Sequence, residues 1–315
     1  MYYIGIIGAG DIVRKIYLPI LSMRNDCKIL AICSKEGESA RVLAEHYQID
    51  NVYSNYKNLL NDGDINIAII CTPNNTHYEI ADYAIGKSKT ILIEKPLCIN
   101  NDDGISLINK AKKNNQTLYV ASNNQFREEN QAIKNKVLSG DLGNIELVDL
   151  EWYRTKRHAS KTWLYNKQTS GGGVLIDLGT HLINFALSLF PRRTSYRLAC
   201  FNINNNEFST SVDDLSLCII IIDNKIPIII KTSWSINLHQ SSLVNFRVFG
   251  SKGNVNNHDY AGERTDGYSA MLNDFFYCIE KESNMDLSII SDTMLIIDGL
   301  YQLNDETREI HSFPR

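Results

Sequence analysis

The sequence predicts an α/β domain with a doubly wound parallel sheet, followed by an α+β domain with a large, open, mostly antiparallel sheet. Over about the first 120 residues, apolar strand-like runs alternate with helix-like segments, as they do in parallel sheets covered by helices. After that, long β-rich runs are separated by hairpin-like spacers, which are typical of antiparallel sheets. We therefore expect domains at residues 1–122 and 123–315.

The chain opens with a short apolar strand that leads through glycines into a helix-like segment. The N–H groups and the dipole of such a helix start suit a pyrophosphate, and glycine lets the phosphates approach the backbone closely. Val13 stands where a third Gly or Ala is usual. We predict that Gly8, Gly10, Asp11 and Ile12 bind a dinucleotide, and the alternative is a tight turn without a ligand.

The second predicted strand, residues 28–33, ends in Ser34, Lys35 and Glu36. In dinucleotide-binding folds this strand end meets the adenosine ribose, where an acid binds the hydroxyls of NAD. A hydroxyl and an ammonium instead suit the 2′-phosphate of NADP. We therefore favour NADP(H), with NAD(H) as the alternative if Glu36 serves as the ribose acid.

Further strands of the first domain are predicted at residues 65–70, 90–93 and 118–120, with helices between them. The carboxyl ends of parallel strands meet at one edge of a sheet, which is where such folds bind ligands. The cofactor-binding candidates at these strand ends are Thr72, Pro73, Asn75, His77, Glu94, Lys95 and Asn123.

The second half predicts helices at residues 131–139, 174–190, 269–281 and 291–304, and strands at 145–154, 196–202, 215–222, 226–234 and 244–249. Residues 219–222 and 228–230 are apolar without alternation, which indicates strands that are covered on both faces. The helices of this half are enough for one face only. We therefore expect a homodimer or homotetramer built through this sheet.

Composition excludes several classes of function. The formal net charge of −4 and the lack of a long basic run argue against nucleic acid and an anionic membrane as partners. No apolar stretch reaches the length of a membrane span. The seven cysteines include no Cys-x-x-Cys pair, and Cys33, Cys71 and Cys218 lie in or beside apolar runs. We expect buried, reduced thiols in a cytoplasmic protein without a metal site.

The helix predicted at residues 174–190 carries titratable side chains on one face. Asp177 and His181 lie four residues apart, which is about one helical turn. Gly179 inside this helix costs about 1 kcal/mol relative to alanine, and this is easier to explain if a ligand or another backbone approaches closely. The alternative is a surface pair, or a buried pair that ties the helix to the sheet.

Lys95 follows a buried strand and precedes a proline, which holds its backbone extended at the sheet edge. An ammonium there would face the nicotinamide end of a bound cofactor, and the alternative is a solvated lysine. Arg154, Trp163 and Tyr165 are candidates for substrate contact, because an aromatic face suits a sugar ring and a cation suits an acidic group. The alternatives are a core position for Trp163 and a surface position for Arg154.

The chain resembles the glucose–fructose oxidoreductase, inositol dehydrogenase and rhizopine-catabolism (Gfo/Idh/MocA) family. Matching segments occur in the right order over most of the chain, at residues 8–10, 72–77, 94–97, 171–173 and 177–181. The resemblance implies a nucleotide-binding domain followed by an α+β domain with an open sheet. It also implies hydride transfer on a sugar or cyclitol, with Lys95, Asp177 and His181 at the catalytic centre.

The chemistry agrees with these roles. Oxidising a carbinol requires a base for the proton, and the imidazole of an ordinary histidine titrates near neutral pH. Lys95 would stabilise the developing alkoxide, and Asp177 would orient His181 or bind a neighbouring hydroxyl. Two rival functions remain, a non-catalytic nucleotide-binding sensor on the same scaffold and a glycosidase that uses bound NAD transiently.

Overall fold

The computed structural model describes residues 1–87, 89–155, 162–204, 211–259, 267–283, 285–303 and 308–311. Contacts divide the chain into two units, the first of Met1–Cys98, Asp102–Ala121 and Met271–Met285, the second of Ile99–Asn101, Ser122–Ala270 and Asp286–Arg315. These units differ from the predicted ranges 1–122 and 123–315, chiefly because a late helical segment packs with the first unit. There the hydroxyl of Tyr119 donates a hydrogen bond of 2.7 Å to Asp274.

The strands of the first unit are β1 (Tyr2–Ile7), β2 (Cys27–Cys33), β3 (Asn51–Tyr53), β4 (Ile67–Ile70), β5 (Thr90–Glu94) and β6 (Leu118–Ala121). They form a parallel sheet in the order β3-β2-β1-β4-β5-β6. All residues of β4 are buried, as in parallel sheets with helices on both faces. The order reverses between β1 and β4, which places a crevice at the carboxyl ends of these strands. The predicted doubly wound sheet is confirmed.

The helices are α1 (Leu18–Ser22), α2 (Glu38–Tyr47), α3 (Tyr56–Asn61), α4 (His77–Gly86), α5 (Asn101–Lys113), α6 (Glu128–Leu138), α7 (Lys167–Ser170), α8 (Thr180–Ser188), α9 (Tyr268–Glu280) and α10 (Leu287–Gln302). Wide turns of the π type precede α1 at Val13–Tyr17 and α8 at Leu175–Gly179. The predicted end of the last helix, Asn304, lies outside the described residues. No helix among the described residues is long and apolar enough to cross a membrane.

The strands of the second unit are β7 (Ile145–Arg154), β8 (Ser195–Ile203), β9 (Leu215–Ile222), β10 (Ile226–Ser233), β11 (Ser242–Gly250), β12 (Gly253–Asn256) and β13 (Arg308–His311). They form a sheet in the order β12-β11-β7-β10-β9-β8-β13, which is antiparallel except where β7 pairs with β10. The predicted mostly antiparallel sheet is confirmed. Burial alternates along β9, where Ile220 is buried and Ile219 is exposed, so one face of this sheet lies open within the chain.

The cysteines differ in part from expectation. Cys200 and Cys218 form a disulfide between β8 and β9, where they are direct partners in the strand register. The expectation of a reduced thiol at Cys218 is therefore wrong. Cys33 and Cys71 are buried thiols, and burial raises the pKa of Cys33 to about 11.

A buried ion pair ties three elements of the second unit together. Arg193 and Asp292 have almost completely buried side chains, and the guanidinium lies 2.8 Å from the carboxylate. The hydroxyl of Tyr196 on β8 donates to the same carboxylate at 2.7 Å. Arg193 also donates at 2.9 Å to the carbonyl group of Phe190, just beyond the end of α8. The pair therefore links α8, β8 and α10, which carries Asp292.

Arg193→Met should lower the free energy of unfolding by about 3–5 kcal/mol, because the Asp292 carboxylate stays buried without its cation. Adding Asp292→Leu should recover much of this loss. As a control, Lys28→Met breaks an exposed pair with Asp50 and should cost less than about 1 kcal/mol. Urea unfolding followed by circular dichroism measures all three, and equal losses in the Arg193 and Lys28 variants would contradict the prediction.

Candidate active site

The turn after β1 places its two glycines in different surroundings. Gly8 has a φ of +114°, and a Cβ at this position would overlap the carbonyl group of Cys71 at the end of β4. The fold itself therefore requires glycine at position 8. Gly10 is exposed, and a Cβ added there would meet no described atom within 4 Å. The space beside Gly10 is open to a ligand that approaches the backbone.

The helix after this turn begins irregularly. Val13 is completely buried in the wide turn that leads into α1. Asp11 and Ile12 are half-buried at the helix start, and the Asp11 carboxylate accepts a hydrogen bond of 2.9 Å from Arg14. Val13, which stands where a third small residue is usual, is the first residue of this wide turn.

The end of β2 presents both a cation and a carboxylate. Residues 34–37 form a turn in which the Gly37 N–H donates to the Ser34 carbonyl group at 3.1 Å, and Gly37 has a φ of +67°. Lys35 and Glu36 are both exposed in this turn. The Ser34 hydroxyl is half-buried and lies 3.4 Å from that of Ser39 on α2.

Five of the cofactor candidates lie at the ends of β4 and β5 with partly or fully exposed side chains, namely Thr72, Pro73, Asn75, Glu94 and Lys95. His77, at the start of α4, is completely buried instead. Its Nδ1 lies 2.8 Å from the carbonyl oxygen of Pro96, and its Nε2 lies 3.0 Å from that of Thr72. Burial lowers the pKa of His77. Because its ring nitrogens contact main-chain carbonyl oxygens that follow two different strands, the His77 side chain connects the ends of β4 and β5.

In the second unit, a buried carboxylate caps the helical segment that carries the candidate catalytic residues. The two oxygens of Asp213 accept hydrogen bonds of 2.8 Å from the N–H groups of Gly173 and Leu175. The Tyr301 hydroxyl donates to the same carboxylate at 2.8 Å. A Cβ on Gly173 would overlap the main chain of Asp213, so the last of the three consecutive glycines is needed for this packing.

Four side chains of the second unit then meet around this helix. Arg154 lies 3.7 Å from the carboxylate of Asp177. The ring of Trp152 packs against the imidazole of His181, with 5.3 Å between the ring centroids. The guanidinium of Arg154 lies 5.0 Å from the same tryptophan ring. We name these four residues the Asp177–His181 cluster, which thus also comprises Trp152 and Arg154.

The other predicted substrate residues, Trp163 and Tyr165, pack against the core of the second unit. Tyr165 packs edge-to-face on Trp234 at 5.6 Å, and Trp163 is half-buried against the core. Asn123 is almost completely buried. A Cβ on Gly179 would lie 2.7 Å from Cδ1 of Leu175, the end of a side chain that can shift.

Sequence reasoning missed Trp152 and Asp213. The period of a strand provides a signal for Trp152, because it lies two residues from Arg154 on β7 and therefore shares its face. No local signal exists for Asp213, which is separated from the two N–H groups it caps by 40 and 38 residues.

Comparison with known proteins assigns the chain to a family. The profile of the oxidoreductase family with an NAD-binding Rossmann fold matches residues 2–122, and that of the GFO/IDH/MocA C-terminal domain matches residues 130–256. The chain therefore belongs to the GFO/IDH/MocA family and is an oxidoreductase. The family indicated by the short motifs is confirmed.

Individual relatives are more distant. D-glucoside 3-dehydrogenase of Escherichia coli (strain K12) is 26% identical over 264 residues, which are 79% of this chain and 75% of that protein. GenD2 from gentamicin A biosynthesis, solved in complex with NAD, has a TM-score of 0.90 at 16% identity and covers 98% and 96% of the two chains. Levoglucosan dehydrogenase, solved with NADH and levoglucosan, has a TM-score of 0.85 at 20% identity and covers 98% and 99%. These two structures share the fold of the chain.

Alanine should distinguish the two glycines of the first turn. Gly8→Ala should lower the free energy of unfolding by about 1–3 kcal/mol, because it combines a strained φ with a collision against Cys71. Gly10→Ala should change it by less than about 1 kcal/mol, since the position is open. Urea unfolding of both variants checks this, and a Gly10 variant as unstable as the Gly8 variant would disprove it.

Proposed function

We propose that the protein transfers a hydride between a nicotinamide cofactor and a carbinol or ketone of a sugar, sugar derivative or cyclitol, with Lys95, Asp177 and His181 as catalytic residues. The observation that carries this proposal is the Asp177–His181 cluster. It combines an imidazole, a carboxylate, a guanidinium and an aromatic face, which suit proton transfer and the binding of a polyhydroxylated ring. The relatives named for D-glucosides and levoglucosan support the substrate class.

Each residue of the proposal has a distinct task. His181 accepts the proton of the substrate hydroxyl, and the packing of its ring on Trp152 fixes the direction of the imidazole. Lys95 stabilises the negative charge that develops on the substrate oxygen. Arg154 already occupies one side of the Asp177 carboxylate, which favours an orienting role for Asp177 over proton transfer.

The first unit would hold the cofactor at the carboxyl ends of its strands. The open space beside Gly10 fits a pyrophosphate close to the backbone, and the helix start at Asp11 and Ile12 supplies N–H groups. Ser34 and Thr72 lie at the ends of β2 and β4 along the same edge. When bound, the nicotinamide supplies the acceptor for the hydride of the carbinol.

Removing His181 and removing Lys95 should affect different quantities. His181→Ala should lower the single-turnover rate of hydride transfer by about 10²–10⁴-fold and abolish the limb of the pH–rate profile near neutrality. Lys95→Ala should cost about 3–4 kcal/mol of transition-state stabilisation and keep that limb. Asp177→Asn should be milder than either if the carboxylate only orients His181. The rates are measured by nicotinamide absorbance with D-glucosides, levoglucosan and myo-inositol.

His46→Ala and Lys57→Ala are matched controls, since they remove the same residue types at exposed positions of the first unit. Both should keep the rate of the unaltered protein. Near-normal rates in the Lys95 and His181 variants would contradict the proposal and favour the sensor. Turnover without a net change in nicotinamide absorbance would favour the glycosidase.

We further propose that the cofactor is NADP(H) rather than NAD(H), because Ser34 and the exposed Lys35 suit a 2′-phosphate. Lys35→Asp should weaken NADPH binding by about 1.5–3 kcal/mol, the worth of a hydrogen bond to a charged group. NADH binding should change little. Fluorescence titration of both cofactors measures this, with Lys252→Asp as an exposed control outside the first unit. Tighter binding of NADH to the unaltered protein, or an unchanged preference in the Lys35 variant, would refute it.

The open face of the second sheet supports an oligomer as a further proposal. Large apolar side chains on β8 and β9 are about half exposed within the chain, namely Phe201, Ile203, Leu217 and Ile219. Next to them, Arg247 and Lys231 pair with Asp149 and Glu151 at 2.5–2.8 Å. An apolar patch beside a compensated charge cluster suits a second copy of the same sheet.

Light scattering at micromolar concentration should therefore report a dimer or tetramer. Ile219→Asp should shift the protein towards the monomer, because the carboxylate would be buried in the interface. Val42→Asp, at an exposed position on α2, is the control and should leave the mass unchanged. A monomeric mass for the unaltered protein would rule the oligomer out.

A further inference from the structure

Buried polar side chains hold the strand end that carries Lys95 from both sides. On one side, the Tyr17 hydroxyl donates a hydrogen bond of 2.8 Å to the carboxylate of Glu94, the last residue of β5. Tyr17 itself is completely buried. Tyr17 is the last residue of the wide turn Val13–Tyr17, which follows the turn after β1. Its hydrogen bond to Glu94 therefore links the start of the first helix to the residue before Lys95.

On the other side, the imidazole of His77 reaches the main chain directly after Lys95. Its Nδ1 lies 2.8 Å from the carbonyl oxygen of Pro96, and its Nε2 lies 3.0 Å from that of Thr72. A neutral imidazole carries one N–H and donates to one of these groups at a time, whereas an imidazolium donates to both. His77 therefore bridges the ends of β4 and β5.

The complete burial of His77 is informative about its role. A buried polar side chain costs free energy unless it forms hydrogen bonds, and a leucine would fill similar space without that cost. A role in the placement of two strand ends explains a histidine here better than direct contact with a cofactor does. The contacts of Tyr17 with Glu94 and of His77 with Pro96 are named the two tethers.

We propose that Tyr17 and His77 are positioning residues, which fix the main chain on both sides of Lys95 through the two tethers. This inference rests on the proposed catalytic role of Lys95. Misplacement of a catalytic group by about 1 Å can cost about 10²-fold in rate, so loss of either tether should slow hydride transfer. The contact of His77 with Thr72 has a separate task, because it fixes the end of β4, where the cofactor is proposed to bind.

Two amide replacements separate the contacts of His77. The side-chain nitrogen of asparagine is two bonds from Cβ, as Nδ1 of histidine is, whereas that of glutamine is three bonds away, as Nε2 is. His77→Asn therefore keeps a donor towards Pro96, and His77→Gln keeps one towards Thr72. His77→Gln should lower the single-turnover rate by about 10–100-fold with cofactor affinity within about threefold. His77→Asn should have the opposite effect. Its single-turnover rate should stay within about threefold of that of the unaltered protein, and its cofactor affinity should be about tenfold weaker.

Tyr17→Phe removes the other tether and should lower the rate by about tenfold. Tyr119→Phe is its matched control, because it also removes one hydroxyl bound to a carboxylate from a completely buried ring of the first unit. The control should keep the rate. If both variants slow the reaction equally, the Tyr17 tether has no special role and the inference is wrong for that residue.

Hydrogen exchange of the amides of residues 92–95, 97 and 98 tests the same tethers without any substrate. Protection of these amides should fall at least about tenfold in Tyr17→Phe and His77→Gln, and stay unchanged in Tyr119→Phe and His77→Asn. Lys95→Ala is measured beside them. Normal rates in Lys95→Ala would overturn the proposed function and, with it, the catalytic purpose of the tethers. If Lys95→Ala is inactive but His77→Asn and His77→Gln have the same single-turnover rate and the same amide exchange, only the positioning role is overturned.

Discussion

Main-chain polar groups that are freed where strands and helices end must be paired when they are buried, and this constraint shapes both units. In the first unit, the imidazole of His77 contacts the carbonyl groups of Thr72 and Pro96. In the second unit, the carboxylate of Asp213 accepts from two N–H groups at a helix start. In each case one buried side chain contacts main-chain polar groups of a segment that bears candidate catalytic residues.

The two kinds of residue differ in burial. Tyr17 and His77, the proposed positioning residues, are completely buried, whereas the proposed catalytic residues Lys95, Asp177 and His181 are only partly so. Supports that are locked by packing and hydrogen bonds hold a reactive group more precisely than a loop alone does. A partly exposed reactive group keeps access to substrate. In this arrangement, the residues proposed to position the main chain are therefore different from those proposed to carry out the chemistry.

The features that sequence reasoning misses have specific physical causes. The aromatic candidates from the sequence are Trp163 and Tyr165 but not Trp152, which the strand period places on the same face as Arg154. Cys218 was interpreted by its apolar neighbours, whereas its partner Cys200 is set by the register of β8 against β9.

The sequence by itself determined the parallel and antiparallel sheets, most element positions and the family, because apolar periods, glycines, prolines and short motifs are local properties of the chain. Only the tertiary structure leaves no room for a Cβ at Gly8 while the space beside Gly10 stays open. It also decides which main-chain groups His77 and Asp213 contact. Those outcomes depend on which main-chain groups meet in space. Asp213 lies 38 and 40 residues from its partners, and Tyr17 lies 77 residues from Glu94, so no local pattern encodes these contacts.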